Sequence, residues 1–200
     1  MMASPLVAFH PSNALTYLSL LSAVGAMAGA IRGSAATAGA LIAVAVIADT
    51  FDGRLARWFT RTTEQRAIGT QLDSLSDAIA FGAAPCVCIA ALAQREAASV
   101  GVTWWLVFAA FSTCAITRLA FYNVTHEATD GFVGLPVPVA ALVWSSVLLV
   151  DPGFGVSTTV LALTAAAMVL PISIPRPTGA GLVVFAAWPV VVLTAHLLAM

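Results

Sequence analysis

Seven apolar runs fill almost the whole chain, at about 14–32, 35–58, 70–94, 102–123, 134–150, 156–173 and 179–199. Only short polar or Gly/Pro breaks divide them: "RGSA", "RTTEQR", "QREAAS", "THEATDG", "DPGFG" and "PRPTG". A helix rises about 1.5 Å per residue, so roughly 20 apolar residues cross the 30 Å hydrocarbon core of a bilayer. The expected fold is therefore an all-α polytopic transmembrane bundle of about seven spans. Six or eight would also fit, because residues 130–200 carry few charges to punctuate them. Of the 200 residues 60% are hydrophobic and only 8% charged, against about 25% charged in soluble domains. That excludes a soluble domain and a disordered chain. No internal repeat is visible, and residues 1–200 read as one membrane domain. "MMASPLVAFHPSN" has no basic residue ahead of the first apolar run, so the first helix is expected to be retained rather than cleaved.

The eight basic residues are all arginine, scattered singly, with net charge −1. There is no basic tract for nucleic acid and no acidic tail. With seven alternating spans, Arg54, Arg57, Arg61, Arg66, Arg118 and Arg176 fall on one side. Arg32 and Arg95 fall on the other. The excess places the "DGRLAR" side, and the N-terminus with it, in the cytoplasm.

That side carries the chemistry. Asp49 and Asp52, three apart, end the second run in "ADTFDGRLAR". Asp73 and Asp77, four apart, open the next in "GTQLDSLSDAIAFGAAP". Spacings of three and four put each pair on one helix face, and antiparallel packing of the two helices would bring four carboxylates together. A lone carboxylate in a bilayer costs about 2.5–3.5 kcal/mol on insertion scales, and four would also repel one another, so cations must offset them or protons neutralise them. Oxygen-only ligands at this density suit hard divalent ions, Mg²⁺ or Mn²⁺. Four carboxylates suffice for two such ions about 3.5–4 Å apart, as in many phosphoryl-type displacements. Gly53 leaves room for a phosphate or nucleotide to approach, Ala56 keeps the face small, and Arg57 offers a forked donor to a pyrophosphate. The plainer alternative pairs the acids with Arg54, Arg57, Arg61 and Arg66 as structural salt bridges.

Residues elsewhere invite simpler readings. Cys86, Cys88 and Cys114 read as small buried apolar residues. His10 and His196 read as terminal interfacial residues without partners, and His126 as a solvated loop residue. Aromatic belts account for Trp104 and Trp105, and neither they nor Trp144 and Trp188 are given a catalytic role. "GAMAGA" in the first run is a packing face for another helix of this chain or for a second copy. The prolines of "GLPVPV" kink or cap the fifth span. Arg118 and Asn123, five apart at the end of the fourth span, are either an acceptor pocket or interfacial anchors.

The pattern Asp49-x2-Asp52-Gly53-x2-Ala56-Arg57, then Gly69-x3-Asp73-x3-Asp77, resembles the signature of the CDP-alcohol phosphotransferases. The resemblance runs from the first span through roughly the sixth. It implies a membrane transferase in which an alcohol attacks the lipid-side phosphorus of a CDP-alcohol and CMP leaves. Asp49, Asp52 and Asp73 would hold a pair of metal ions, and Asp77 would be the general base while touching the second ion. Asp49, Gly53, Ala56, Arg57 and Gly69 would meet the CDP-alcohol. "PSNALT" is similar to the family's motif at the first helix, adding Asn13 and Thr16, and Thr63 holds the place of a further hydroxyl contact. "LDSLSDAIAFGAAP", "TRLAFYN", "GFVGLPVPVAA" and "MVLPISIP" resemble the phosphatidylserine synthase branch, which implies CDP-diacylglycerol as donor, L-serine as acceptor, a homodimer and a prokaryotic inner membrane. Other branches take glycerol phosphate, inositol phosphate, inositol, choline or ethanolamine. Two differences stand out: eleven residues separate Arg57 from Gly69 where relatives have eight or nine, and Phe121 stands where they carry a second arginine. A cation transporter is the competing class, since intramembrane acids often mark ion paths. It is disfavoured because the acids gather at one face and no repeat surrounds them.

Overall fold

The structure is a computed structural model describing residues 4–95, 100–125, 131–175 and 178–200. After two short 3-10 turns, Pro5–Phe9 and Pro11–Asn13, the chain forms α1 (Ala14–Ile31), α2 (Ala35–Ala56), α3 (Thr63–Asp77), α4 (Ala84–Arg95), α5 (Val102–Thr125), α6 (Val137–Leu148), α7 (Gly153–Val169) and α8 (Ala180–Leu198). A π-helical turn, Ala78–Ala83, joins α3 to α4 without a break. The helical rods therefore match the seven expected runs. Five are long and apolar enough to cross a membrane. α6 and α7, with 12 and 17 residues, rise only about 18 and 26 Å.

Two departures from the expected layout have local causes. The third rod begins at Thr63 rather than near 70 because Thr62 and Gln65 close a capping box: Gln65 N–H donates to Thr62 Oγ1 (3.1 Å) and Thr62 N–H to Gln65 Oε1 (2.9 Å). Two orphan donors are satisfied at once, so the polar "TEQR" stretch joins the helix. The second departure is a two-stranded antiparallel ribbon, β1 (Gly131–Val133) with β2 (Ser173–Pro175), linking the segments before α6 and after α7.

The core is built from small residues. Ala23, Ala26 and Ala30 of α1 and Ala38 and Ala43 of α2 are fully buried. A side chain at Gly29 would meet Thr37 and Ala38, so the "GAMAGA" face serves packing within the chain. Small residues let helix backbones approach closely, which is how helices associate where lipid removes the hydrophobic drive. Gly33 (φ +85°) makes the α1–α2 turn, and Ser34 caps α2 through Thr37 N–H.

Both terminal histidines have partners, contrary to expectation. His196 is 1% exposed, and its Nε2 donates to the Ser145 carbonyl at 2.9 Å. The Ser145 hydroxyl donates to the Gly39 carbonyl at 2.9 Å. A Cβ on Gly39 would overlap the imidazole, so α2, α6 and α8 are tied by two buried hydrogen bonds that meet at Ser145. His10 Nδ1 accepts from Ser12 N–H, and its ring meets Phe59 edge-on. Trp104 also corrects the belt assignment: it is 1% exposed and packs on Phe108 and Phe154, whereas Trp105 is exposed. Cys86 and Cys88 are free and buried as expected. His126 and Arg176 lie outside the described residues.

Candidate active site

Two helix ends make the site. The last turns of α2 present Asp49 and Asp52, and the last turns of α3 present Asp73 and Asp77. One carboxylate oxygen each from Asp49, Asp52 and Asp73 lies within 4.8 Å of the others. Asp77 stands against Asp49, and Asp73 against Asp52, each within hydrogen-bond reach. Asp77 is the most buried, at 8% exposure, and the other three are half-buried. The π turn starts immediately after Asp77. Pro85 has no N–H to return to the preceding turn, and Ser112 Oγ donates to the Gly82 carbonyl at 2.9 Å. π-turns of this kind concentrate at functional sites.

No arginine forms an ion pair with any of the four acids among the described residues. Arg54 instead turns over the Phe51 ring at 5.6 Å. Two unit charges at such spacing repel by about 3–4 kcal/mol at an effective dielectric near 20, so four carboxyl groups converging in a helix bundle call for a cation between them or for protons shared among them. The donor set fits a cation: hard oxygens only, near the separations that oxygens on a shared octahedral Mg²⁺ or Mn²⁺ would have, up to about 4 Å. The acidic cluster is therefore capable of holding a divalent metal. The salt-bridge alternative has no pair to rest on.

The other sequence-selected residues divide into two sets. Thr16 Oγ1 donates to Asp52 Oδ2 at 3.2 Å, and Ser76 Oγ donates to the Thr16 carbonyl at 3.1 Å, so the start of α1 is locked between the two acid-bearing helices. Asn13 is buried, its Nδ2 donating to the Ala8 carbonyl at 2.9 Å. Its Oδ1 faces Gly69, where a Cβ would stand 3.1 Å away. Arg61, which the sequence did not single out for the site, comes to the same notch, its Nη1 3.6 Å from that Cβ position. Gly53 is different: a side chain there would meet no protein atom within 4 Å. Glycine inside a helix costs about 1 kcal/mol relative to alanine, and no packing contact in the chain accounts for it. Ala56 is buried, and Arg57 caps α2 with its side chain exposed.

Three residues stand apart from the acids or from one another. Thr63 is exposed in the first turn of α3, about 15 Å along the helix from Asp73. Arg118 and Asn123 do not share a surface: Arg118 is 6% exposed, whereas Asn123 is exposed and donates through Nδ2 to Ser74 Oγ at 2.7 Å. Arg118 lies within electrostatic range of Asp77. Phe121 is 49% exposed.

Known proteins give the same picture. The sequence pattern of the CDP-alcohol phosphatidyltransferases matches residues 9–193. A Mycobacterium tuberculosis protein named CDP-diacylglycerol–serine O-phosphatidyltransferase is 33% identical over 150 residues, 72% of this chain and 50% of the relative. The archaetidylserine synthase of Methanothermobacter thermautotrophicus is 36% identical over 171 residues, 81% of this chain and 70% of the relative. A Helicobacter pylori CDP-diacylglycerol–serine O-phosphatidyltransferase is 34% identical over 113 residues, 56% of this chain and 45% of the relative. The chain spans about half the length of the mycobacterial relatives it matches. With its apolar helices and its matched pattern together, this chain is an integral membrane protein of the CDP-alcohol phosphatidyltransferase family.

Proposed function

We propose that the chain, as one domain over residues 1–200, transfers the phosphatidyl group of CDP-diacylglycerol to the hydroxyl of L-serine. The products are phosphatidylserine and CMP. The observation that carries this reading is the convergence of Asp49, Asp52 and Asp73, with Asp77 against Asp49, without an arginine partner among the described residues, in a chain whose relatives are named for serine transfer. Asp49, Asp52 and Asp73 would hold two divalent cations, Mg²⁺ or Mn²⁺, with Asp77 touching the second. Bound there, such ions would neutralise the pyrophosphate and the charge that develops on departing CMP.

The chain's own groups do the rest. Asp77 takes the proton of the serine hydroxyl as its oxygen bonds to the lipid-side phosphorus. The bond from that phosphorus to the CMP oxygen breaks, and CMP leaves with the electron pair. Thr16 holds Asp52 in place, and Asn13 and Gly69 keep the adjoining notch narrow. The open space over Gly53 admits the CDP group, with Ala56 and Arg57 beside it. The resemblance alone puts Thr63 in this contact set, and its exposed place about 15 Å along the helix from Asp73 makes it at most a weak contact. Arg118 faces the acceptor, and Asn123 steadies α3 through Ser74. Donor and acceptor meet at the cytoplasmic face of a prokaryotic inner membrane, and the working unit is a homodimer.

The test is CMP release from CDP-diacylglycerol by the purified protein in detergent with Mn²⁺. L-serine, glycerol 3-phosphate, inositol phosphate and inositol are added singly. Release with serine alone is expected. Release only with another alcohol moves the acceptor while keeping the donor, and release with none refutes the donor.

A further inference from the structure

Arg118 is buried within electrostatic range of Asp77, yet among the described residues it forms an ion pair with none of the four acids. Its Cζ lies 4.9 Å from the centre of the Tyr122 ring and 5.8 Å from that of Phe132. The two rings are 6.0 Å apart at 31° to each other. Nε and Nη2 have no hydrogen-bond partner among the described residues, although both atoms are buried. Stacking on ring faces grips a guanidinium without using its N–H groups, which point outward in its plane. An interfacial anchor would leave those donors to water or lipid headgroups. Buried and unmet, they carry a desolvation cost that a ligand with acceptor oxygens would remove.

The second ring comes from a part of the chain built to hold it. Tyr122 follows Arg118 by one helical turn on α5. Phe132 arrives from β1, paired across the ribbon with Ile174. Leu135 N–H donates to the Ala167 carbonyl and Gly134 N–H to the Ile172 carbonyl, both at 2.9 Å. Gly134 has φ +72°, and a Cβ there would strike the Met168 carbonyl. A Cβ on Gly131 would lie 2.8 Å from the Ile174 carbonyl. The ribbon thus closes only with glycine at both places, and its closure sets where Phe132 stands.

We infer that Tyr122 and Phe132 are positioning residues: they clamp Arg118 so that two free N–H donors meet the anionic group of the acceptor alcohol. For L-serine, the favoured acceptor on which this inference rests, that group is the carboxylate. Phe132→Ala should raise the KM for serine about tenfold, with kcat within about threefold and the KM for CDP-diacylglycerol unchanged. Phe132→Tyr should restore the serine KM. With serinol, which has the hydroxyl but no carboxylate, wild type and Phe132→Ala should perform alike. Should Phe132→Ala fail to fold, Phe132→Leu keeps apolar bulk without a ring and decides the matter by the same KM comparison. The inference is overturned by a wild-type serine KM in the ringless variant, or by equal losses toward both substrates. If the wild type uses glycerol 3-phosphate or inositol phosphate instead of serine, the serine reading fails, and the clamp is judged on that acceptor's KM. If it uses only uncharged inositol, the clamp is refuted as well.

Discussion

Asp77→Asn keeps the shape of the buried carboxyl and removes its capacity to take a proton. General bases contribute about 10²–10⁴-fold, so CMP release should fall by at least about a hundredfold. The Mn²⁺ concentration for half-maximal residual activity should move less than in Asp49→Asn, because Asp77 would only touch the second ion. Near-normal turnover would remove Asp77 from its role. Asp49→Asn and Asp73→Asn should instead raise the Mn²⁺ requirement severalfold, because each removes a negative charge from the oxygens that converge within 4.8 Å. Arg61→Ala should raise the KM for CDP-diacylglycerol several-fold, while Thr63→Ala, exposed and a helix length from the acids, should change it less than about twofold. A reversal of that order would show that the notch at Gly69 is not where the donor binds. The acids were legible because spacings of three and four are a property of one helix face. Arg61 was not, since its place beside Gly69 and Asn13 depends on how α1 meets α3. The grip on Arg118 was hidden for the same reason: Tyr122 is one turn away, but Phe132 arrives through a ribbon.

Gly39→Ala tests the tie among α2, α6 and α8. The added methyl would overlap the His196 ring, and overpacking of this kind costs about 1–3 kcal/mol. The melting temperature in detergent should drop by several degrees, with both substrate KM values unchanged. Unaltered melting would mean the histidine has room that the close packing denies it. The tie was invisible in sequence, where His196 stands 51 residues from Ser145 and sits in an apolar run that reads as terminal. The rods themselves were legible because lipid demands long apolar runs. Their ends were not always so: the capping box of Thr62 and Gln65 extended α3 through residues whose polarity reads as a loop. The ribbon was missed because "GFVGLPVP" offers glycine and proline rather than the alternation that marks a strand.

At the scale of the whole molecule, the acids, the Arg118 clamp and the ribbon gather at one end of the bundle. A separate cavity of about 360 Å³, bordered by Gly33, Leu148, Asp151 and Phe154, opens at the other. We propose from the arginine excess that the acidic end faces the cytoplasm. Thr63→Cys should therefore react with a membrane-impermeant maleimide in inverted vesicles, and Asp151→Cys only in right-side-out ones. The opposite pattern would invert the topology. The central claim is that the acidic cluster is a metal-dependent centre for phosphatidyl transfer. Its most direct test follows CMP release from CDP-diacylglycerol with serine present, using protein stripped by EDTA and then titrated with Mn²⁺. The account predicts no release from the stripped protein and full recovery on Mn²⁺ addition, with Asp49→Asn needing more metal. Release that persists in EDTA at the untreated rate would contradict it.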